Sequence, residues 1–175
     1  MFIDTLPILD GVKARLVALK LADAVTPAFD RVEVYSQEDF VQALADLRVF
    51  KKRVAFVVAA GDDYETSQEG GFAISKRSTE IVVLLGDRDY GKAESANTGG
   101  ERATGVLVLK DLVVNDLTGA KLGLPDVVLT PVSGEQLRLT TQEQAEQAGR
   151  RCWAQSFRTA AGEMAITLHR RRSVR

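Results

Sequence analysis

The chain has little of several residue types that carry chemistry in other proteins. Its 175 residues include one cysteine, Cys152, and one histidine, His169. A single cysteine excludes an internal disulfide framework and is typical of a reducing compartment, where thiols stay free. We expect His169 at the surface and Cys152 buried as a small apolar residue, because no second imidazole is present to activate a nucleophile. The sequence therefore predicts no catalytic residues and a protein that is not an enzyme.

An excess of charge of one sign and a long apolar run are also missing. The 23 basic and 24 acidic residues give a net charge of -1, which provides no overall attraction to nucleic acid or to an anionic membrane. No stretch approaches the roughly 18 apolar residues of a membrane helix, and the N-terminus has no signal-peptide pattern. We therefore expect cytoplasmic synthesis, no membrane partner and no sequence-specific nucleic-acid partner.

The remaining composition is that of a globular protein. Hydrophobic residues make up 45% of the chain and charged residues 27%, far from the pattern of a disordered protein. The length favours one domain, which we expect to cover residues 1–168. Residues 169–175 contain four arginines and are expected to form a basic C-terminal tail.

Apolar residues at three- and four-residue spacing predict three helices. The first is expected over residues 5–25, capped by Asp4 or Thr5. The second is expected over residues 37–49. The third ends at Gly119 as its C-terminal cap, and its apolar residues are Val106, Leu109, Leu112, Val113 and Leu117.

Two runs of β-branched and small apolar residues, 54–60 and 80–85, predict strands that are buried on both faces. We expect them to be antiparallel neighbours, because no helical pattern fills the gap between them. Segments 61–76 and 86–103 are polar and glycine-bearing, and both are predicted as long loops. Loops of this length are usually functional, or become ordered on binding.

The outer strands have weaker patterns. Residues 31–35 alternate charged and apolar side chains, as in a half-exposed strand. Residues 127–130 and 136–140 flank the turn-rich segment 131–134, which predicts an antiparallel hairpin, and alternation over 152–168 predicts one or two closing strands. The predicted fold class is therefore α/β in the α+β sense: a single mixed, mainly antiparallel sheet flanked by about three helices, with two long glycine-rich loops.

Segment 86–92 has the spacing of a phosphate-binding loop: a glycine, four residues and then Gly-Lys, directly after a buried strand. Ala93 offers no hydroxyl for magnesium, and Asp87 and Asp89 would repel phosphate groups. The segment is therefore predicted to be a solvated loop, and no cofactor is expected.

Acidic residues follow both central strands, and they favour an alternative function. If they met at one end of the sheet, their oxygens would suit a divalent cation. Under this alternative the chain is a magnesium-dependent phosphodiester-cleaving enzyme that uses Asp62, Asp63 and Asp87. A simpler reading is that acidic residues keep long loops soluble; the residues concerned are Asp62, Asp63, Glu65, Asp87 and Asp89.

The order of elements resembles a known family. A long N-terminal helix, a strand, a helix and two buried strands are followed by a long loop, a further helix and closing strands. The second buried strand carries the sequence from Arg77 to Leu84, and the last helix ends with the sequence from Asn115 to Gly119. Over nearly the whole chain, this order and size resemble the tail-terminator, or tail-completion, proteins of long-tailed bacteriophages and prophages.

The resemblance implies a structural role in virion assembly. In that family a small α/β domain forms a six-membered ring that caps the tail tube and joins it to the head connector. The expected partners are thus copies of the same chain, tail-tube protein and head-connector protein, first in the host bacterial cytoplasm and then in the virion tail. The two predicted loops would supply the oligomer and tube interface through Tyr64, Phe72, Arg88, Tyr90 and Lys92.

Two readings of these residues stay open. The aromatic residues Tyr64, Phe72 and Tyr90 are suitable interface anchors, or they fold back onto their own domain. A further alternative for the whole chain is a small regulatory or effector domain that binds a partner by adding a strand to an exposed sheet edge.

Overall fold

The computed structural model describes residues 3–69, 72–88, 98–99, 104–124, 127–137 and 149–167. Five strands form one mixed sheet in the order β1-β2-β3-β5-β4. The β1–β2 pair is parallel and the other pairs are antiparallel, so the predicted α+β class and the antiparallel pairing of the two central strands are confirmed. The strands are β1 Arg31–Tyr35, β2 Val54–Glu69, β3 Phe72–Arg88, β4 Thr130–Leu137 and β5 Arg150–Thr167.

The helices lie on both faces of this sheet. They are α1 Thr5–Ala18, α2 Phe40–Val49 and α3 Val106–Leu117, and a single 3-10 turn, Gln37–Asp39, precedes α2. Helices α1 and α3 pack on one face, here called the α1/α3 face, against side chains such as Val57, Val83 and Phe157. Helix α2 packs on the opposite face, the α2 face, against side chains such as Phe56 and Leu84. Alternate residues of β2 and β3 lie in the cores on the two faces of the sheet. Both faces of these strands are therefore apolar, which explains their continuous apolar runs.

The first helix is shorter than predicted. It ends at Ala18 rather than near residue 25, and the Asp4 side chain makes no capping hydrogen bond. The Asp23 carboxylate accepts hydrogen bonds from the backbone N–H of Val25 (2.9 Å) and of Thr26 (2.8 Å), and Ala24 has a φ of 57°. This local turn competes with the helix for the same backbone groups, and the apolar spacing gave no sign of it.

The hairpin predicted around residues 131–134 is wrong. Residues 130–137 form one strand that pairs with β5, with an irregularity at Val132. Gly134 lies within this strand and not in a turn, and a Cβ there would lie 2.4 Å from Oε1 of Gln155, so the end of that side chain would have to move. The prediction of a closing strand is confirmed by β5.

Candidate interaction surfaces

The predicted loop 61–76 is wrong, because its described residues belong to strands. Residues 61–69 of β2 pair with residues 72–80 of β3, and β3 pairs in turn with the last part of β5. We call the three-stranded extension formed by residues 61–69, 72–79 and 159–167 the arm. Eight strand residues span about 25 Å, and residues 62–68 are all exposed to solvent. The arm therefore reaches beyond the part of the sheet that the helices cover.

A buried arginine connects the base of the arm to α1. The Arg77 side chain, 10% exposed, donates to the Ile3 carbonyl (2.9 Å), to Oγ1 of Thr5 and to Oδ2 of Asp62 (2.8 Å). Thr79 donates to the other Asp62 oxygen at 2.7 Å. Burial raises the Asp62 pKa, but these hydrogen bonds outweigh it and the net pKa lies below the ordinary value. Asp62 is thus a structural carboxylate, and it orients the arm.

Two predicted interface residues lie on the arm, on opposite faces of it. Tyr64 pairs in register with Arg77 and is 58% exposed, whereas Phe72 at the end of β3 is 47% exposed. Because side chains alternate along a strand, Tyr64 shares the α1/α3 face with Arg77, and Phe72 lies on the α2 face. Both rings are about half exposed, and their role at an interface stays a prediction.

Arg88 is at the other end of β3, far from the arm, and Tyr90 and Lys92 lie outside the described residues.

Gly86 and Asp87, the first residues of the segment with phosphate-loop spacing, belong to β3. A Cβ on Gly86 would lie 2.8 Å from the Phe50 ring, and the Asp87 side chain is buried. The Asp87 carboxylate accepts from the backbone N–H of Arg88 and of Gly105, each at 2.7 Å. It is therefore engaged with the protein backbone at the N-terminus of α3.

The acidic residues do not converge at one end of the sheet. In the β2–β3 register Asp62 lies opposite Thr79, eight residues along β3 from Asp87, which corresponds to about 26 Å. The metal site of the alternative function would need one shared end, and antiparallel neighbours instead place the end of one strand beside the start of the next. Asp63 lies 3.4 Å from the Arg158 guanidinium, and within the described segments no three His, Cys, Asp or Glu side chains are grouped to hold a metal ion. Asp89 lies outside the described residues.

Cys152 is buried, as predicted, and burial raises the pKa of its thiol to about 12. A thiol of this pKa carries almost no thiolate at neutral pH and is unreactive. Tyr35 and Phe157 are also buried. His169 and the rest of the basic tail lie outside the described residues.

A polar cluster that the sequence did not reveal ties the edge strand β1 to α2. Arg31 binds Glu33 (2.7 Å) and Asp46 (3.2 Å), and the Tyr35 hydroxyl lies 2.5 Å from the Asp46 carboxylate. Burial, followed by the hydrogen bonds to Asp46 and Glu33, raises the Tyr35 pKa, so the phenol stays protonated and serves as a hydrogen-bond donor. Asp46 comes close to β1 because the chain runs from β1 through α2 into the parallel strand β2. No residue pattern in the sequence predicts that contact.

A second missed feature is a group of basic residues at the end of the sheet opposite the arm, which we call the basic end. Strand β2 starts there, β3 ends there and β5 starts there, so Arg88 pairs directly with Arg150 and Asp87 with Arg151. The Arg150 guanidinium lies 5.7 Å from the centre of the Phe50 ring and donates to the Phe50 carbonyl. Among the described residues, the basic ones at this end are Arg48, Lys51, Lys52, Arg53, Arg88, Arg150 and Arg151.

The outermost strands of the described sheet are β1 and β4. Pro131 and the irregularity at Val132 interrupt the hydrogen-bonding edge of β4, and such features are typical of edges that do not accept a further strand. The proposal of strand addition to a partner remains a prediction. None of the helices in the described ranges is long and apolar enough to cross a membrane.

The molecule is thus an α+β domain with helices on both faces of a mixed sheet, extended by a three-stranded arm. No protein-family model matches the chain, and no curated protein matches it in sequence. Among solved structures it is similar to a chain of the virion of a native gene transfer agent particle, with 16% identity and a TM-score of 0.36 over 61% of this chain and 67% of that one.

Proposed function

We propose that this chain is a structural protein of virion assembly, of the tail-terminator type. It forms a homo-oligomeric ring that caps a phage or prophage tail tube and joins it to the head connector. It is synthesised in the host cytoplasm, ends up in the virion tail, and performs no catalysis. The order of elements in the sequence supports this proposal, and the observation that carries it is the arm.

The arm needs an explanation in terms of a partner. A two- or three-stranded extension without a core of its own is marginally stable in water, and this one carries exposed Tyr64 and Phe72. Aromatic side chains are the usual anchors of protein interfaces, because they bury a large area at low entropic cost. With one ring on each face, the arm can contact a neighbouring subunit on one side and a tube or connector subunit on the other.

The test is an association measurement on arm variants. We expect the wild-type chain to form closed oligomers in native mass spectrometry, and Tyr64→Asp and Phe72→Asp to reduce this association or the binding of tail-tube protein. The control is Val25→Asp, because Val25 is 77% exposed and lies in the turn after α1, away from the arm. Equal melting temperatures for the three variants would show that only association is affected. A wild-type monomer at all concentrations that also fails to bind tube protein would contradict the proposal.

The alternative function, a magnesium-dependent phosphodiester-cleaving enzyme, predicts a different result. Metal binding to the native state raises the melting temperature by mass action. Because Asp62 and Asp63 are engaged by Arg77 and Arg158, and Asp87 lies at the other end of the sheet, we expect millimolar magnesium to leave the melting temperature unchanged. A reproducible upward shift, accompanied by cleavage of DNA or RNA, would favour the enzyme instead.

A further inference from the structure

We propose that two copies of this chain associate face to face about a two-fold axis, with helix α2 of each copy seated in a groove beside α2 of the other. This inference goes beyond the proposed function, because it concerns a surface on the α2 face of the sheet and not the arm.

Helix α2 is apolar on two opposite sides. Ala43 and Leu47 face the sheet and are buried. On the other side Val41, Ala45 and Val49 follow one another at four-residue spacing, and all three are exposed, Val41 to 76% and Val49 to 65%. Residues four apart lie on the same side of a helix, and a helix that is apolar all round is typical of a buried position. We call the residues Val41, Ala45 and Val49 the stripe.

The same face of the sheet has an open groove next to α2. The helix packs mainly against side chains of β1, β2 and β3, and the cavity beyond it has a volume of about 380 Å³. Ala154 and Ser156 of β5 and Ser133 of β4 form its floor, and their small side chains leave room above the sheet. Val82 and Leu137 add apolar surface at opposite ends of the floor.

The groove has the dimensions of a short helix. From β3 to β4 it spans two strand spacings, about 10 Å, and a helix with its side chains is about 10–12 Å across. The floor is about 14 Å long between the level of Ser133 and that of Leu137. The stripe from Val41 to Val49 covers about 12 Å, so one helix of the size of α2 fits the groove.

A two-fold axis brings the stripe and the groove together. Both surfaces are on the same face of one chain, so they meet only when two copies turn these faces toward each other. Rotation about an axis parallel to the strands places α2 of one copy over the β5–β4 half of the other. The same rotation leaves the position of α2 along the strand direction unchanged.

That position agrees with the position of the groove. Phe40, the first residue of α2, lines the groove together with Val82, and the Phe50 ring, directly after α2, packs on Gly86. In the register of β3, β5 and β4 these two β3 residues share their levels with the two ends of the groove floor. Helix α2 therefore extends over the same stretch of the sheet as the groove, and the two-fold rotation places each stripe on the floor.

A second copy explains both surfaces, whereas a helix of another protein explains only one. A foreign helix would fill the groove and leave the stripe exposed to water. In the two-fold arrangement both surfaces are used twice, as in other isologous interfaces, and the apolar side chains of the stripe are removed from water. Glu135, the charged residue of the described groove lining, is on the outermost strand β4, where an interface has its polar rim.

The first test measures dimerisation by sedimentation velocity. We expect the wild type to be a dimer at micromolar concentration. Ala45→Glu places a carboxylate in the centre of the stripe, and Ser133→Glu places one on the floor of the groove. Each should weaken the dimer by more than about tenfold, because a buried charge without a partner is costly. Both residues are exposed in the single chain, so both variants should fold.

The matched controls carry the same added charge on the opposite face of the sheet. Ala14 is exposed on α1, and Gln136 is exposed on β4, where it pairs with Trp153. Ala14→Glu and Gln136→Glu should therefore dimerise like the wild type.

A second test reports the geometry of the dimer. Leu44 is one turn after Phe40, on the side of α2 that faces the groove, so each Leu44 lies near the axis and close to its counterpart in the other copy. Under mild oxidation with copper phenanthroline and oxygen, Leu44→Cys should form a disulfide between copies. Val25→Cys is the control, because Val25 is 77% exposed but lies in the turn after α1, away from the axis, and it should not cross-link.

Three results would overturn this inference: a wild type that is monomeric at every concentration, equal dimerisation of the wild type and the Ala45→Glu and Ser133→Glu variants, or no cross-link in Leu44→Cys. If a monomeric wild type binds tail-tube protein and Ala45→Glu abolishes that binding, the stripe serves another protein and the second copy is the wrong occupant. The proposed function is tested separately by the arm variants, so it can stand when this inference fails.

Discussion

At the scale of single residues, Asp87 shows how a candidate site residue can serve the fold. Its carboxylate accepts hydrogen bonds from the backbone N–H of Arg88 and of Gly105, the residues that flank segment 89–104. Burial raises its pKa, and the backbone hydrogen bonds only partly oppose that rise. The sequence made Asp87 a metal-ligand candidate because it follows a strand, but its environment is that of a structural carboxylate.

Asp87→Ala should lower the free energy of unfolding by about 1–3 kcal/mol, because two backbone donors lose a buried acceptor. A raised pKa means that the folded state binds the proton more tightly, so this group contributes stability that is fully present below its unfolded pKa and is lost as pH rises through its folded pKa. Denaturant titrations should therefore show a larger gap between wild type and variant near pH 4 than at pH 7. A difference in the free energy of unfolding between wild type and variant that is smaller near pH 4 than at pH 7 would contradict this prediction.

Gly86 and Gly61 form a matched pair of strand glycines. A Cβ at Gly86 would lie 2.8 Å from the Phe50 ring, whereas nothing lies within 4 Å of a Cβ at Gly61. Gly86→Ala should destabilise the protein by about 1–3 kcal/mol through overpacking, and Gly61→Ala should be close to neutral. Thermal unfolding of both variants tests this, and equal effects would contradict the described packing.

At the scale of elements, the arm depends on Arg77. The interactions of this side chain with Ile3, Thr5 and Asp62 join three segments that are distant in sequence. Sequence patterns predicted β2 and β3 only where both faces are apolar, because residues 61–69 and 72–79 place polar side chains on both faces of the arm. The sequence does contain one signal for the pairing of β2 with β3, the dipeptide Gly70-Gly71, since such pairs favour two-residue hairpins.

Arg77→Met should loosen the base of the arm while leaving the helix-covered sheet intact. The arm amides of β2 and β3 should then exchange hydrogen faster, whereas those of residues 54–58 should keep their protection. The control is Lys76→Met, since Lys76 is exposed and makes only a 3.6 Å pair with Glu163. Equal hydrogen-exchange rates of the arm amides in the two variants would show that Arg77 does not stabilise the arm.

At the scale of the whole molecule, one sheet carries two cores, and both are built on β2 and β3. A shared pair of central strands couples the cores, so we expect the predicted single domain to unfold in one cooperative transition. The Cys152 thiol, buried in the core on the α2 face, should react with a thiol reagent only at the rate of that transition. Reaction that precedes the loss of circular dichroism would indicate that the α2 side opens separately.

The local sequence determined the central strands, β1, the second and third helices and the position of the closing strand, because each has a repeating pattern of apolar residues that local geometry alone explains. A local turn at Asp23 ended the first helix, whereas only the tertiary structure decided the arm, the continuity of β4 and the separation of the acidic residues. Each of these depends on which segments pair across the chain: antiparallel pairing gives polar segments 61–69 and 72–79 a backbone partner without any apolar pattern, and it separates Asp62 from Asp87 along β3.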